Sequence, residues 1–152
     1  MEGFIGQSML LCHLTASLSS RRYPSYNGPW SAVDGSKRKV DANLAMSDIQ
    51  DSPWIQLDLS IAHCIHIIKF YKQVMGWQSD GLMDDVKITI GETVSDLADE
   101  SEKHLCAYYD GKPPGEEFTM TCTQRLYGRL IRVTTVGDAK RMSVREIEVF
   151  GW

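Results

Sequence analysis

Short alternating segments, set apart by dense turn residues, constrain this chain most. Val86, Ile88 and Ile90 fall on one parity while Lys87 and Thr89 take the other. Ile147 and Val149 alternate in the same way with Glu146 and Glu148. A period of two is the signature of a half-buried strand. Strand-like runs recur at 8–12 (SMLLC), 54–59 (WIQLDL), 64–71 (CIHIIKFY) and 86–91 (VKITIG). Others follow at 117–122 (EFTMTC), 129–135 (RLIRVTT) and 144–150 (VREIEVF). Gly, Pro, Asn and Asp separate them. Helical periodicity is scarce, with one short helix expected near SDLADESEK, capped by Ser95 or Asp96. The pattern predicts an all-β fold, a sandwich or a jelly roll. The first and last strands should lie near each other, as domain termini often do.

The 152 residues fit a single domain spanning 1–152, with a sizeable core. A net charge of -4 and a pI near 5.5 argue against a nucleic-acid partner. The triplet Lys37-Arg38-Lys39 is too short to change that and reads as a solvated loop. No apolar run approaches the ~20 residues of a membrane span. The start, MEGFIGQSMLL, lacks the basic and apolar regions of a signal peptide, which leaves open a start placed after a removed signal.

There are four cysteines, Cys12, Cys64, Cys106 and Cys122, without CxxC or zinc spacing. Cys106 and Cys122 flank the hairpin-like AYYDGKPPGEEFTMT. A bridge there would stabilise by about 3 kcal/mol through loop closure. Reduced, buried thiols are an equal alternative. GxSxG, HExxH, Walker and dinucleotide motifs are absent. His63 and His66 lie at opposite parity and should not share a strand face. No carboxylate pair stands out as an acid/base couple, so the sequence offers no basis for an enzyme.

One loop is rich in oxygen donors. SAVDGSKRKVDANLAMSD carries Asp34, Ser36, Asp41, Asn43, Ser47 and Asp48, with the apolar Met46 among them. TASLSS (15–20), SAVDGS (31–36) and SPWIQLDL (52–59) come in order, followed by IHIIKFY, VKITIG and FTMTC. YGRLIRVTT and a closing SVREIEVFGW complete the series. This order resembles the F-type lectins (fucolectins), a branch of the discoidin-like, coagulation-factor C-domain superfamily, from about Ser8 to Trp152. The resemblance implies a β-sandwich jelly roll with its loops clustered at one end, and a secreted, extracellular setting.

Family members bind α-L-fucose and hold a structural Ca²⁺ beside it. Ca²⁺ takes 6–8 oxygen ligands. The positions implied here are Ser31, Asp34, Ser36, Asn43 and Glu146, with Gly35 permitting the tight backbone curl. The bland alternative is an Asx-turn at Asp34 and a solvent-facing Glu146. For the sugar, the family uses a His and two Arg. These align with Met46, Gln73 and about Leu82. Met and Leu cannot donate hydrogen bonds, and Gln lacks the guanidinium fork. Each charge-assisted bond lost costs roughly 1.5–3 kcal/mol. The resemblance therefore implies a lost fucose site.

Cys106 and Cys122 match the family's late disulfide. A second family bridge aligns with Leu44 and Arg145, so both partners are missing, and the sugar-contacting vicinal cysteines are replaced by VMGWQSDG. Cys12 and Cys64 fall outside the pattern. They are expected to form a private bridge worth about 4 kcal/mol, or else to be free thiols. In place of the sugar ligands stand Met46, Val74, Met75 and Trp77, with Arg21, Arg22, Tyr23, Tyr26 and Trp30 upstream. Tyr, Trp, Met and Arg are enriched in protein interfaces. A protein or a non-standard glycan at the loop end is thus expected. A lectin using Gln73, Asp80 and Asn27 is the alternative, as is a membrane-lipid or cell-adhesion module. Trp54, opening the most regular strand, is expected in the core.

Overall fold

A computed structural model describes residues 8–23, 25, 27–37, 44–73 and 83–152. Among the described residues there are eight strands: β1 (Met9–Leu10), β2 (Thr15–Leu18), β3 (Ala45–Met46), β4 (Trp54–Lys72), β5 (Val86–Gly91), β6 (Leu105–Tyr109), β7 (Glu117–Thr135) and β8 (Ser143–Gly151). A single helical turn, α1 (Val94–Leu97), follows β5.

The expected strands at 54–59 and 64–71 are one 19-residue strand, and so are those at 117–122 and 129–135. These two long antiparallel strands organise the sandwich. The first part of β4 pairs with β2 on one side and with Leu130–Thr134 on the other. Its last part pairs with β8 and with the first part of β7. Register breaks after Asp58 and Ile65 separate the two halves. One layer is therefore β2, early β4, late β7, β5 and β6; the other is β1, β8, late β4 and early β7. Bulges bend and twist strands, and that is how one strand can serve two layers.

The apolar parities predicted from sequence face the core between the layers. Val86, Ile88, Ile90, Ile147 and Val149 are all buried there beside Ile55, Leu57, Ile68, Phe70 and Ile131. β1 pairs with β8, bringing the first and last strands together. Cys106 on β6 is bonded to Cys122 on β7, tying the edge of one layer to the start of the other.

Three expectations need correction. Cys12 and Cys64 are free thiols. β8 lies between them, and Leu11 hydrogen-bonds Val149, which pairs with Ile68, four residues along β4 from Cys64. Two strand spacings alone are ~9.6 Å, beyond the ~7 Å Cα limit for a bridge. The cap of α1 is Thr93, whose side chain accepts from Asp96 N while Asp96 answers from the third position; Ser95 does not cap. Trp54 is half-buried rather than core, its ring covered by the Arg132 guanidinium at 4.1 Å. His63 meets the backbone carbonyl of Trp152, whereas His66 stacks on its ring.

Candidate functional site

The loop end of the sandwich is built where β3, the start of β8 and a short 3-10 turn (Pro29–Ala32) meet. The turn is set by Pro29 at its first position and buries Ser31 and Ala32. Asn27, with φ of 54°, turns the chain into it. The backbone carbonyl of Asn27 accepts from Met46 N, and the carbonyl of Met46 accepts from Arg22 N. These bonds hold one edge of β3, and pairing with β8 holds the other.

Beyond the turn, Gly35 adopts φ of 81°, the left-handed conformation that glycine tolerates. Its N–H donates to Glu146 Oε2 at 3.0 Å. Asp34 Oδ1 accepts from Ser36 N at 2.8 Å, so the Asx-turn is present. The other half of the bland alternative is not: Glu146 is only 4% exposed. Its Oε1 is buried without a hydrogen-bond partner among the described residues. Burial, reinforced by the neighbouring Asp34 carboxylate, pushes its carboxyl up to about 8, against the lowering effect of Gly35 N–H. Asn27 Oδ1 is a second buried oxygen with no partner among the described residues. Sequence reasoning missed Asn27 as a potential metal ligand. In the sequence it is marked by the Gly28-Pro29 that follows it.

No group of three or more His, Cys, Asp or Glu side chains is placed to hold a metal ion among the described residues. Any cation here would have to draw on neutral oxygens besides Asp34 and Glu146. That is the chemistry of a hard cation such as Ca²⁺. The unpartnered, desolvated Glu146 Oε1 fits this requirement, since an uncompensated buried carboxylate is costly.

Met46 is 9% exposed and sits within β3, opposite Ser143, so little of its side chain faces outward. Gln73 lies half-buried just past the end of β4. Asn43, Tyr26, Val74, Met75, Trp77, Asp80 and Leu82 lie outside the described residues. Trp30 is 52% exposed, with the Arg21 guanidinium over its ring at 4.7 Å. Arg22 pairs with Asp48 at 3.8 Å.

Arg145 occupies a position where the resemblance expects cysteine. It is buried, and it donates to the carbonyls of Lys72 (2.6 Å) and Lys37 (2.7 Å). It thereby ties the Asp34 loop to β4 without a covalent link.

No protein-family model matches the chain, and no curated protein sequence matches it. Solved structures do. A fucolectin from striped bass (Morone saxatilis) serum is 24% identical over 91% of this chain, with a TM-score of 0.75. This chain spans 47% of that protein's length. A His 62 mutant of the lectin binding domain of lectinolysin, complexed with Lewis b, gives a TM-score of 0.73 at 20% identity, covering 93% of this chain and 94% of that one. A Streptococcus pneumoniae fucose-binding module gives 0.75 at 16% identity, covering 97% and 98%. The chain has the discoidin-like β-sandwich fold of the F-type lectins and their fucose-binding relatives.

Proposed function

We propose that this chain is a non-catalytic, extracellular recognition domain that binds a glycan through its loop end, with Ca²⁺ holding that end together. The observation that supports the metal is Glu146, a buried carboxyl whose Oε2 meets a Gly-turned loop and whose Oε1 has no partner among the described residues. Asp34 and Glu146 would hold the ion, aided by oxygens of Ser31, Ser36, Asn27 and Asn43. When bound, the ion would supply the positive charge that Glu146 otherwise lacks. Gly35 N–H and Arg145 orient the loop. The glycan reading rests on the likeness to lectins and carbohydrate-binding modules.

The fucose-binding mode of those relatives is not expected to carry over. The His-equivalent position is a largely buried Met46. Trp30, backed by Arg21, offers an exposed aromatic face with a cation beneath it. Aromatic faces of this kind pack the apolar side of a sugar or a partner's side chain. A protein ligand is the competing occupant.

A glycan array run in Ca²⁺ tests the reading. Binding of non-fucosylated glycans, weakened by Trp30→Ala, is the expected outcome. Micromolar binding of terminal α-L-fucose would refute the changed pocket. A blank array together with a captured protein ligand would shift the assignment to a protein partner.

A further inference from the structure

A second site lies far from the loop end, where β7 departs from β4. Ile65 pairs with Leu126 and Ile67 with Thr121, so four residues of β7, 122–125, stand opposite His66 alone. His66 is also the extra residue against β8, between Ile65↔Gly151 and Ile67↔Phe150. Double irregularities of this kind re-aim side chains.

The excursion is pinned. Cys122 is bonded to Cys106. Thr123 Oγ1 donates to Cys106 O at 3.2 Å, and Gln124 Nε2 donates to the carbonyls of Glu102 (2.6 Å) and Leu105 (2.8 Å). On the facing wall, His66 stacks on Trp152 with ring centroids 5.3 Å apart. Between the walls is a cleft of about 340 Å³, lined by Cys64, His66, Thr123, Gln124, Arg125 and Trp152 among others. That is the lower end of the size range for small-ligand pockets, room for one pyranose ring.

Two groups in the cleft are unspent. Trp152 is 41% exposed although His66 covers one face. Arg125 is exposed and has no ion-pair or hydrogen-bond partner among the described residues. The nearby Arg129 is committed to Asp58 at 3.0 Å. A single free guanidinium matches one carboxylate, which it can grip with two parallel N–H bonds. The aromatic ring matches an apolar sugar face. We propose that this cleft binds a carboxylate-bearing sugar unit, a uronic acid, with Arg125 on the carboxylate and Trp152 under the ring. The site is independent of the loop-end reading.

Cys64 makes the site directly observable, because its free thiol lines the cleft while Cys12 lies exposed elsewhere. The full chain is titrated with methyl β-D-glucuronide and, in parallel, with methyl β-D-glucoside. Binding is followed by calorimetry, and alkylation of each cysteine by peptide mass spectrometry. The glucuronide should slow alkylation of Cys64 but not of Cys12, and should bind at least about tenfold more tightly than the glucoside. Arg125→Ala should remove that preference while leaving the melting temperature and the calcium response unchanged, and Asp34→Ala should leave glucuronide binding intact. Equal binding of the two glycosides, no protection of Cys64, or an unaltered preference in a folded Arg125→Ala protein would each overturn the proposal.

Discussion

Gly35 N donates to Glu146 Oε2 at 3.0 Å, joining residues 111 positions apart. The bond fixes one carboxylate oxygen and leaves the other, Oε1, buried and unpartnered among the described residues. A charge placed this way needs a counter-ion or a proton.

The first prediction follows from that choice. In the metal-free protein the Glu146 carboxyl is raised from 4.5 to about 8. Between those values the native state holds a proton that the unfolded chain releases. Stability therefore falls as pH rises through this window. Ca²⁺ competes with the proton and should remove the loss. In EDTA, the melting temperature of Glu146→Gln minus that of wild type should grow between pH 5 and 8, by several °C. Saturating Ca²⁺ should stabilise wild type at pH 8 and leave Glu146→Gln unmoved. A pH-independent difference between the two proteins would remove the electrostatic basis of the calcium proposal. Differential scanning calorimetry at fixed ionic strength makes the measurement.

Placing at position 46 the histidine that the resemblance expects should not confer fucose binding. Met46 is nearly enclosed and its backbone is clamped by Asn27 and Arg22. Met46→His buries an imidazole where a thioether packed, at a cost of about 1–3 kcal/mol. Gln73 would still lack a guanidinium fork. The expected result is a lower melting temperature and no fucose binding by calorimetry. Fucose binding by this single variant would show that the pocket was never remodelled.

Much of the fold was legible from alternation alone. Val86, Ile88 and Ile90 face the core as their parity required. The long strands were not, because Asp58–His63 and Ile65–Ile67 break the period where the chain changes layer. At the site, Asp34 and Gly35 were visible as a turn, and Glu146 only through the resemblance: its alternation with Ile147 pointed it to solvent, and the Asp34 loop, packed over β8, buries it. Asn27 and Arg145 act through backbone conformation and carbonyl contacts, which leave no periodic trace. Cys12 and Cys64 could not be judged without knowing that β8 lies between them.

The cleft wall formed by Trp152 depends on close backbone approach at Gly151. Trp152 and Cys64 exchange backbone hydrogen bonds at 2.9 and 3.0 Å. A Cβ on Gly151 would run into the Cys64 carbonyl, which is backbone and cannot swing aside. Gly151→Ala should cost about 1–3 kcal/mol, lowering the melting temperature by ~2–12 °C. It should also speed alkylation of Cys64 as the terminal pairing loosens. Wild-type stability and thiol reactivity in this variant would mean that the approach is less tight than drawn.

The last prediction concerns the missing second bridge. Ala45 pairs with Val144 and Met46 with Ser143. Extending that antiparallel register by one residue puts Leu44 opposite Arg145, the two positions where the resemblance expects cystine. Directly opposed antiparallel residues lie about 4.5–5.5 Å apart at Cα, within the range a disulfide spans. Leu44→Cys/Arg145→Cys should therefore oxidise spontaneously, seen as a two-dalton loss in intact mass that reductant reverses. Loop closure on this length favours the oxidised form by about 4–5 kcal/mol. Against it stands the loss of Arg145's bonds to Lys37 and Lys72, charge-assisted contacts worth about 1.5–3 kcal/mol each. Truncating the buried Leu44 side chain adds a further cost, so the oxidised variant should melt at or somewhat below wild type, and the reduced variant well below both. A double variant that stays reduced in air would show that Leu44 and Arg145 are not opposed.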